Sequence, residues 1–201
     1  MRHEYEFTRD WFHWAPEVWI HIKTQLPGRL KFLEIGAYEG RSTVWTIENI
    51  LDDLGEITVI DTWEGGDEHK IDGDDMQAVE SRFLHNIAVA KEKYPKRYVD
   101  VWKGQSSQIL RSIGNKRFEF IYIDGSHRAK DVMTDACMAW PLLCKGGVLV
   151  FDDYMWGNPV DVLNRPKMAI DMFTTLFGEE LIFIHTGYQV VVKKETPVMN
   201  L

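Results

Sequence analysis

The stretch Phe32-Leu33-Glu34-Ile35-Gly36-Ala37-Tyr38-Glu39-Gly40-Arg41-Ser42 constrains this chain more than any other. The largely apolar run from Leu30 to Ile35 reads as a buried parallel strand. It breaks at two glycines four apart and passes directly into a helical pattern with Val44, Ile47 and Leu51 on one face. A strand turning this tightly into a helix leaves backbone N–H groups bare at the helix N-terminus. Glycines there admit unusual φ/ψ and let a ligand come close to the main chain. The spacing is not the G-x-G-x-x-G of a pyrophosphate binder, and Glu34 would repel a phosphate. A carboxylate suits a ligand bearing ammonium or sulfonium charge, and S-adenosylmethionine bears both.

Such a turn belongs to an alternating α/β chain, and the remaining sequence fits that reading. With 201 residues, 45% of them hydrophobic, it is expected to form one domain over 1–201 with a sizeable core. A net charge of -8 argues against a nucleic-acid partner. No stretch is apolar for long enough to span a membrane, and the charged, Trp-rich start is unlike a signal peptide. Cys137 and Cys144 suit neither a disulfide framework nor a metal pair, and are expected to be reduced core residues of a cytoplasmic protein.

Residues 1–28 carry Trp11, Ala15, Val18, Trp19 and Ile22 at helical spacing, with Pro16 near the start and Pro27-Gly28 as a stop. This segment is expected to pack on the domain as a helix, or to serve as a lid that sets Trp11 and Trp14 over a substrate. A second strand, Ile57 to Ile60, ends in Asp61, at the distance from the glycine turn where an acidic residue grips a ribose diol. Asp61 alone would read equally well as a turn cap. Residues 62–75, which include Trp63, are acidic and Gly-rich, and predict an irregular loop, either a lid near the cofactor or a solvated connection. A helix buries Met76, Val79, Phe83, Ile87 and Ala90. The strand Tyr98 to Trp102 then leads to Ser106, which reads as either an adenine contact or a helix N-cap.

A fourth strand, Phe118 to Ile123, ends in Asp124-Gly125-Ser126-His127, and a fifth, Val148 to Phe151, ends in Asp152-Asp153-Tyr154. Between them a helix buries Val132, Met133, Ala136 and Trp140. In a parallel sheet Asp124, Asp152 and Asp153 share one carboxyl edge, where they would repel one another without a cation. An all-oxygen cluster suits Mg²⁺, Mn²⁺ or Ca²⁺ rather than zinc. The chain closes with a helix through Ile170 and Phe173 and two strands joined by His185-Thr186-Gly187, which can only form an antiparallel hairpin.

The segment Leu33 to Ser42 resembles the first motif of class I S-adenosylmethionine-dependent methyltransferases, in particular the catechol O-methyltransferase-like group. Ile123-Asp124-Gly125-Ser126-His127, with Gly146-Gly147 and Asp152-Asp153-Tyr154, resembles the metal-dependent sugar O-methyltransferases. The resemblance covers roughly residues 30 to 195 and is carried by three motifs in register. It implies a three-layer, Rossmann-like, seven-stranded and mostly parallel sheet whose last strand is antiparallel, with helices on both faces. It further implies Gly36, Tyr38 and Ser42 around the methionine part of the cofactor, with Asp61 taking the ribose and Ser106 with Ser126 flanking the adenine. Glu34, Ala37, Gly40, Trp63, Asp124 and Gly125 would also line the cofactor, and Asp124 would join His127 in catalysis. Asp124, Asp152 and Asp153 would hold the divalent ion. His127 falls where relatives place a general base, and stands equally as a metal ligand or a group orienting the acceptor.

The function expected is O-methylation of a small hydroxylated molecule, sugar or catechol-like, by a cytoplasmic monomer or homodimer. The chain is shorter at its N-terminus than the sugar-modifying enzymes. Two rivals share parts of the pattern. A nicotinamide-dependent oxidoreductase would want G-x-G-x-x-G and gives no reason for Asp152-Asp153, whereas a non-catalytic S-adenosylmethionine-binding module would keep the cradle alone.

Overall fold

The computed structural model describes residues 4–26 and 28–195, so Pro27 of the expected helix stop lies outside the described residues. The strands are β1 (Lys31–Ile35), β2 (Glu56–Asp61), β3 (Tyr98–Lys103), β4 (Phe118–Ile123), β5 (Leu143–Phe151), β6 (Leu181–Thr186) and β7 (Val190–Lys194). The helices are α1 (Ala15–Lys23), α2 (Arg41–Asn49), α3 (Asp67–Asp72), α4 (Met76–Lys93), α5 (Ser106–Ser112), α6 (Ala129–Ala139) and α7 (Lys167–Leu176). The sheet runs β3-β2-β1-β4-β5-β7-β6, with β7 antiparallel to both of its neighbours and the other pairs parallel. This is the seven-stranded, three-layer α/β sheet that the motifs imply.

Period-2 alternation sorts the strand residues into two cores. Leu33, Ile121, Ile123, Leu149 and Phe151 pack with Val132 and Ala136 of α6 and Ile170 and Phe173 of α7. On the opposite face Phe32, Phe120, Tyr122 and Val150 pack with Trp19 and Ile22 of α1, Ile47 of α2, and Val79, Phe83 and Ile87 of α4. Each central strand is covered on both faces, which is why these strands read as near-continuous apolar runs.

Register places the functional edge. Ile35 pairs with Ile60 and with Ile123, and Ile123 pairs with Phe151. The next residues, Gly36, Asp61, Asp124 and Asp152, therefore emerge side by side. Gly36 has φ 88°, and a Cβ there would stand 2.0 Å from the Asp124 carbonyl oxygen. Only a residue without a side chain lets the tips of β1 and β4 come this close.

Several expectations shift. Residues 62–75 are not irregular throughout. Gly66 precedes and Gly73 (φ 73°) terminates the six-residue α3, with Asp67 and Glu68 favourably placed in its first turn, so the glycines that read as loop punctuation act as helix ends. Gln105, not Ser106, stands at the N-cap position of α5, and its side chain makes no capping hydrogen bond. The helical part of the N-terminal segment is confined to α1, and the chain before it runs over α2 and α4 without regular structure. There the backbone N–H of Glu6 donates to Asn86 Oδ1 at 2.7 Å and that of Thr8 to Glu39 Oε2 at 2.6 Å. Cys137 is exposed and Cys144 half-buried, both free, because Cys137 falls just off the buried stripe of α6.

Gly36→Ala is expected to cost at least about 2 kcal/mol of unfolding free energy, from backbone strain and from collision with Asp124. Gly125→Ala is the comparison, because a Cβ there meets nothing closer than 3.6 Å. Denaturant melts of the two variants should therefore separate widely.

Candidate active site

The cradle is built from the β1 turn and held from two sides. Asp61 Oδ2 accepts the backbone N–H groups of Ala37 at 2.7 Å and Tyr38 at 3.1 Å, and its Oδ1 accepts that of Trp63 at 2.7 Å. Asp61 thus braces the turn as well as standing at the tip of β2. Trp63 is buried on Phe83, and its indole N–H donates to the Tyr38 carbonyl at 2.9 Å. Tyr38 and Trp63 both have left-handed backbone, with φ 51° and 50°.

Glu34, expected beside a charged ligand, is 0% exposed where β1 meets the turn. Its carboxylate accepts the hydroxyls of Ser42 and Thr43 at the start of α2. Burial, reinforced by the charge of Asp61 and opposed by those hydrogen bonds, pushes its pKa up to about 7. Gly40 is likewise a packing position, since a Cβ would come within 2.8 Å of the Phe83 ring.

The two serines expected beside an adenine both hang from α6. Ser106 Oγ donates to Asp135 Oδ1 at 2.6 Å, and Ser126 Oγ donates to Asp131 Oδ2 at 2.8 Å. Asp135 is buried, which together with nearby Asp131 raises its pKa to about 6 against the pull of Ser106.

At the tips of β4 and β5 the acidic residues do converge. Tyr122, two residues before Asp124 and on the same face of β4, donates toward Asp124 Oδ2 at 2.8 Å and also meets Asp152 Oδ2. Asp152 Oδ2 further accepts Gln189 Nε2 at 2.9 Å, and its Oδ1 accepts the Asp153 N–H at 2.7 Å. Burial and mutual repulsion push Asp124 well above the carboxylate range and Asp152 up to about 6. Asp153, held at φ 59°, turns to His127, whose Nε2 lies 2.8 Å from Asp153 Oδ2. Burial works to lower the His127 pKa, but the Asp153 hydrogen bond and charge, with Glu68 and Asp152, outweigh it and raise the group above its ordinary value. Its Nδ1 is buried without a hydrogen bond, 3.8 Å from Glu68 Oε2 on α3, and its ring packs on Trp156 at 4.0 Å.

Aromatic residues overhang this edge. Trp11 lies on Tyr38 at 5.0 Å, Tyr38 stacks on His69 of α3 at 5.2 Å, and Trp14 meets Tyr188 at 5.1 Å. Trp11 and Trp14 remain 46% and 37% exposed. Arg9 pairs with Asp72 and Asp74, and Arg128 with Asp67, tying both ends of α3 to its surroundings.

Among the described residues no three His, Cys, Asp or Glu side chains surround a common point as a bound metal would require. Asp124 and Asp152 share one hydroxyl while Asp153 engages His127, so the expected cage of three is a pair and a neighbour. The donor chemistry nevertheless fits a hard divalent cation: Asp124, Asp152 and Asp153 offer only carboxylate oxygens, and beyond burial the charges of Asp152 and Asp153 raise the pKa of Asp124, as that of Asp153 does for Asp152. Sequence reasoning missed Tyr122, Gln189, Trp19 and Asp135 as parts of the site. Tyr122 was open to detection by its period-2 spacing from Asp124, whereas Gln189 carried no local signal.

A seven-stranded sheet of this order, with a glycine turn after β1 and an acidic tip on β2, is the architecture that the sequence motifs imply for a class I S-adenosylmethionine-dependent methyltransferase. Residues 33–154 match the family model described as a methyltransferase domain, and the chain belongs to that family. A comparison with curated proteins finds no match. Among solved structures, the O-methyltransferase from Bacillus cereus in complex with SAH is similar at 21% identity and a TM-score of 0.64, over 90% of this chain and 82% of that one. TomG from Streptomyces achromogenes, an O-methyltransferase of tomaymycin synthesis in complex with SAM, is similar at 18% identity and a TM-score of 0.64, over 90% and 81%. MycE, of the mycinamycin biosynthetic pathway, in complex with Mg, SAH and mycinamycin VI, is similar at 15% identity and a TM-score of 0.60, over 98% of this chain and 52% of that one. This chain thus spans about half of MycE, and at these identities the likeness is one of fold.

Glu34 yields a stability prediction whose sign follows from linkage. Its folded pKa of about 7 lies above the ordinary 4.5, so the folded chain binds the extra proton, and stability falls as pH rises from about 4.5 through 7. Glu34→Gln should flatten that decline, by up to about 3 kcal/mol at pH 8, in urea melts taken across the range.

Proposed function

We propose that this methyltransferase moves the methyl group of S-adenosylmethionine to a hydroxyl of a small polyhydroxy acceptor, sugar or catechol-like, with help from a divalent metal. The observation that carries this reading is the grouping of Asp124, Asp152, Asp153 and His127 at the tips of β4 and β5, beside the β1 turn. The Mg named in the MycE complex, and the O-methyltransferase titles of the Bacillus cereus protein and TomG, support it.

The turn residues Gly36, Ala37 and Tyr38, with Ser42 and Trp63, surround the methionine part of the donor. Asp61 holds the ribose, while Ser106, Gly125 and Ser126 border the adenine. Glu34 fixes the start of α2. Asp124, Asp152 and Asp153 would hold Mg²⁺ (or Mn²⁺ or Ca²⁺), which when bound would supply a Lewis acid that lowers the pKa of the acceptor hydroxyl. Methyl transfer to oxygen asks the protein for aligned approach and for removal of a proton. His127 takes that proton, with Asp153 Oδ2 2.8 Å from its Nε2 and Glu68 of α3 3.8 Å from its Nδ1. Trp156 packs on the imidazole and, with Trp63 and Tyr154, walls the acceptor pocket against water, while Trp11 and Trp14 lie over the substrate. Residues 1–28 accordingly serve as a lid within a single domain over 1–201.

The reading is tested by turnover of a diol acceptor with S-adenosylmethionine, before and after rigorous removal of metal. EDTA is expected to abolish activity and added Mg²⁺ to restore it, and full activity in the metal-free protein would reject the metal role. His127→Ala should lower kcat by roughly 10²- to 10⁴-fold while leaving S-adenosylmethionine affinity within about threefold. Because the His127 pKa is raised, activity should climb with pH through a range above the ordinary histidine value, and that limb should vanish in the variant.

A further inference from the structure

The strongest feature outside the motifs is a buried hydrogen-bonded line from the N-terminal helix to the reacting edge. Trp19 of α1 is 0% exposed, and its Nε1 donates to Gln189 Oε1 at 3.0 Å. Gln189, 2% exposed at the head of β7, donates from Nε2 to Asp152 Oδ2 at 2.9 Å. An indole nitrogen can only donate. The amide must therefore present its oxygen to Trp19, which leaves only its NH₂ for the carboxylate. A flipped amide would bring oxygen against oxygen on the Asp152 side and N–H against N–H on the Trp19 side, with all three side chains buried. Asp152 is consequently gripped at both oxygens, Oδ1 by the Asp153 N–H at 2.7 Å and Oδ2 by Gln189 and the Tyr122 hydroxyl.

Packing keeps this line rigid. Trp19 lies 4.7 Å from Tyr122, 5.1 Å from Phe120 and 5.6 Å from Phe32, ring to ring, so its indole is wedged against β1 and β4. An apolar side chain at 189 would fill the core without the desolvation that a buried amide and indole N–H incur. What the polar pair adds is a fixed orientation for one carboxylate.

We propose that Gln189, locked in orientation by Trp19, is a positioning residue that holds Asp152 in place to receive a divalent cation. The proposal rests on the metal reading given above. It also makes α1 part of the reacting centre rather than a cover for the sheet, because the group that orients the amide comes from that helix.

Calorimetric titration of the purified full chain with Mn²⁺ tests this directly, alongside its thermal midpoint and its affinity for S-adenosylmethionine. Gln189→Leu should weaken Mn²⁺ binding about 10-fold or more, in line with the loss of other groups that orient metal ligands. Trp19→Phe keeps the aromatic wedge and removes only the donor. It should weaken binding by a smaller factor, and the double variant should bind no worse than Gln189→Leu. S-adenosylmethionine affinity should stay within about threefold in all three. Mn²⁺ binding in the wild type that is unchanged in both single variants, whatever their thermal midpoints, would overturn the positioning role alone. Failure of the wild-type chain to bind Mn²⁺ at all would overturn the metal reading and this proposal together.

Discussion

The arrangement depends on one close approach between two strand tips. Position 36 has room for hydrogen and nothing larger, since a Cβ would sit 2.0 Å from the Asp124 carbonyl oxygen. Because β1 turns there without a side chain, β4 can end beside it, and the parallel register carries Asp61 and Asp152 to the same edge. Asp61 then fastens the turn by accepting the amides of Ala37 and Tyr38. A backbone constraint thus comes first, and the side-chain chemistry is arranged around it.

That edge is electrostatically unfinished. The one hydroxyl proton of Tyr122 serves two carboxylates, Asp124 and Asp152, and both are pushed toward holding protons of their own. Asp153 finds a partner in His127. Burying acids together costs stability unless protons, donors or a cation offset it. The surroundings are built to hold them nonetheless, with a phenol, an amide and a backbone N–H all aimed at Asp152. Above this edge, the chain before α1 and the short α3 meet through Arg9, Tyr38 and His69, so the roof and the cradle share residues.

Much of this was legible before any coordinates. Strand-to-helix alternation, the glycine turn and acids at successive strand ends are local patterns, and period and punctuation read them well. The terminal hairpin followed from loop length alone. α3 was lost because Gly66 and Gly73 look the same in sequence whether they end a helix or fill a loop. The partners of Glu34 were not legible, because strand alternation fixes which face a residue takes only once the packing helix is known. Glu34 looks toward Ser42 and Thr43, as Tyr122 looks toward α1. The role of Gln189 depends on Trp19, 170 residues earlier, and no window of sequence joins them.

Tyr38, Trp63 and Asp153 carry full side chains on left-handed backbone. Relief of that strain by glycine is worth about 1 kcal/mol at each, but at Trp63 the cavity left on Phe83 outweighs it. A search for heat-tolerant variants that scores folding alone would therefore be drawn to Asp153, the residue that meets His127. There resilience and function compete, and breeding for one would erode the other.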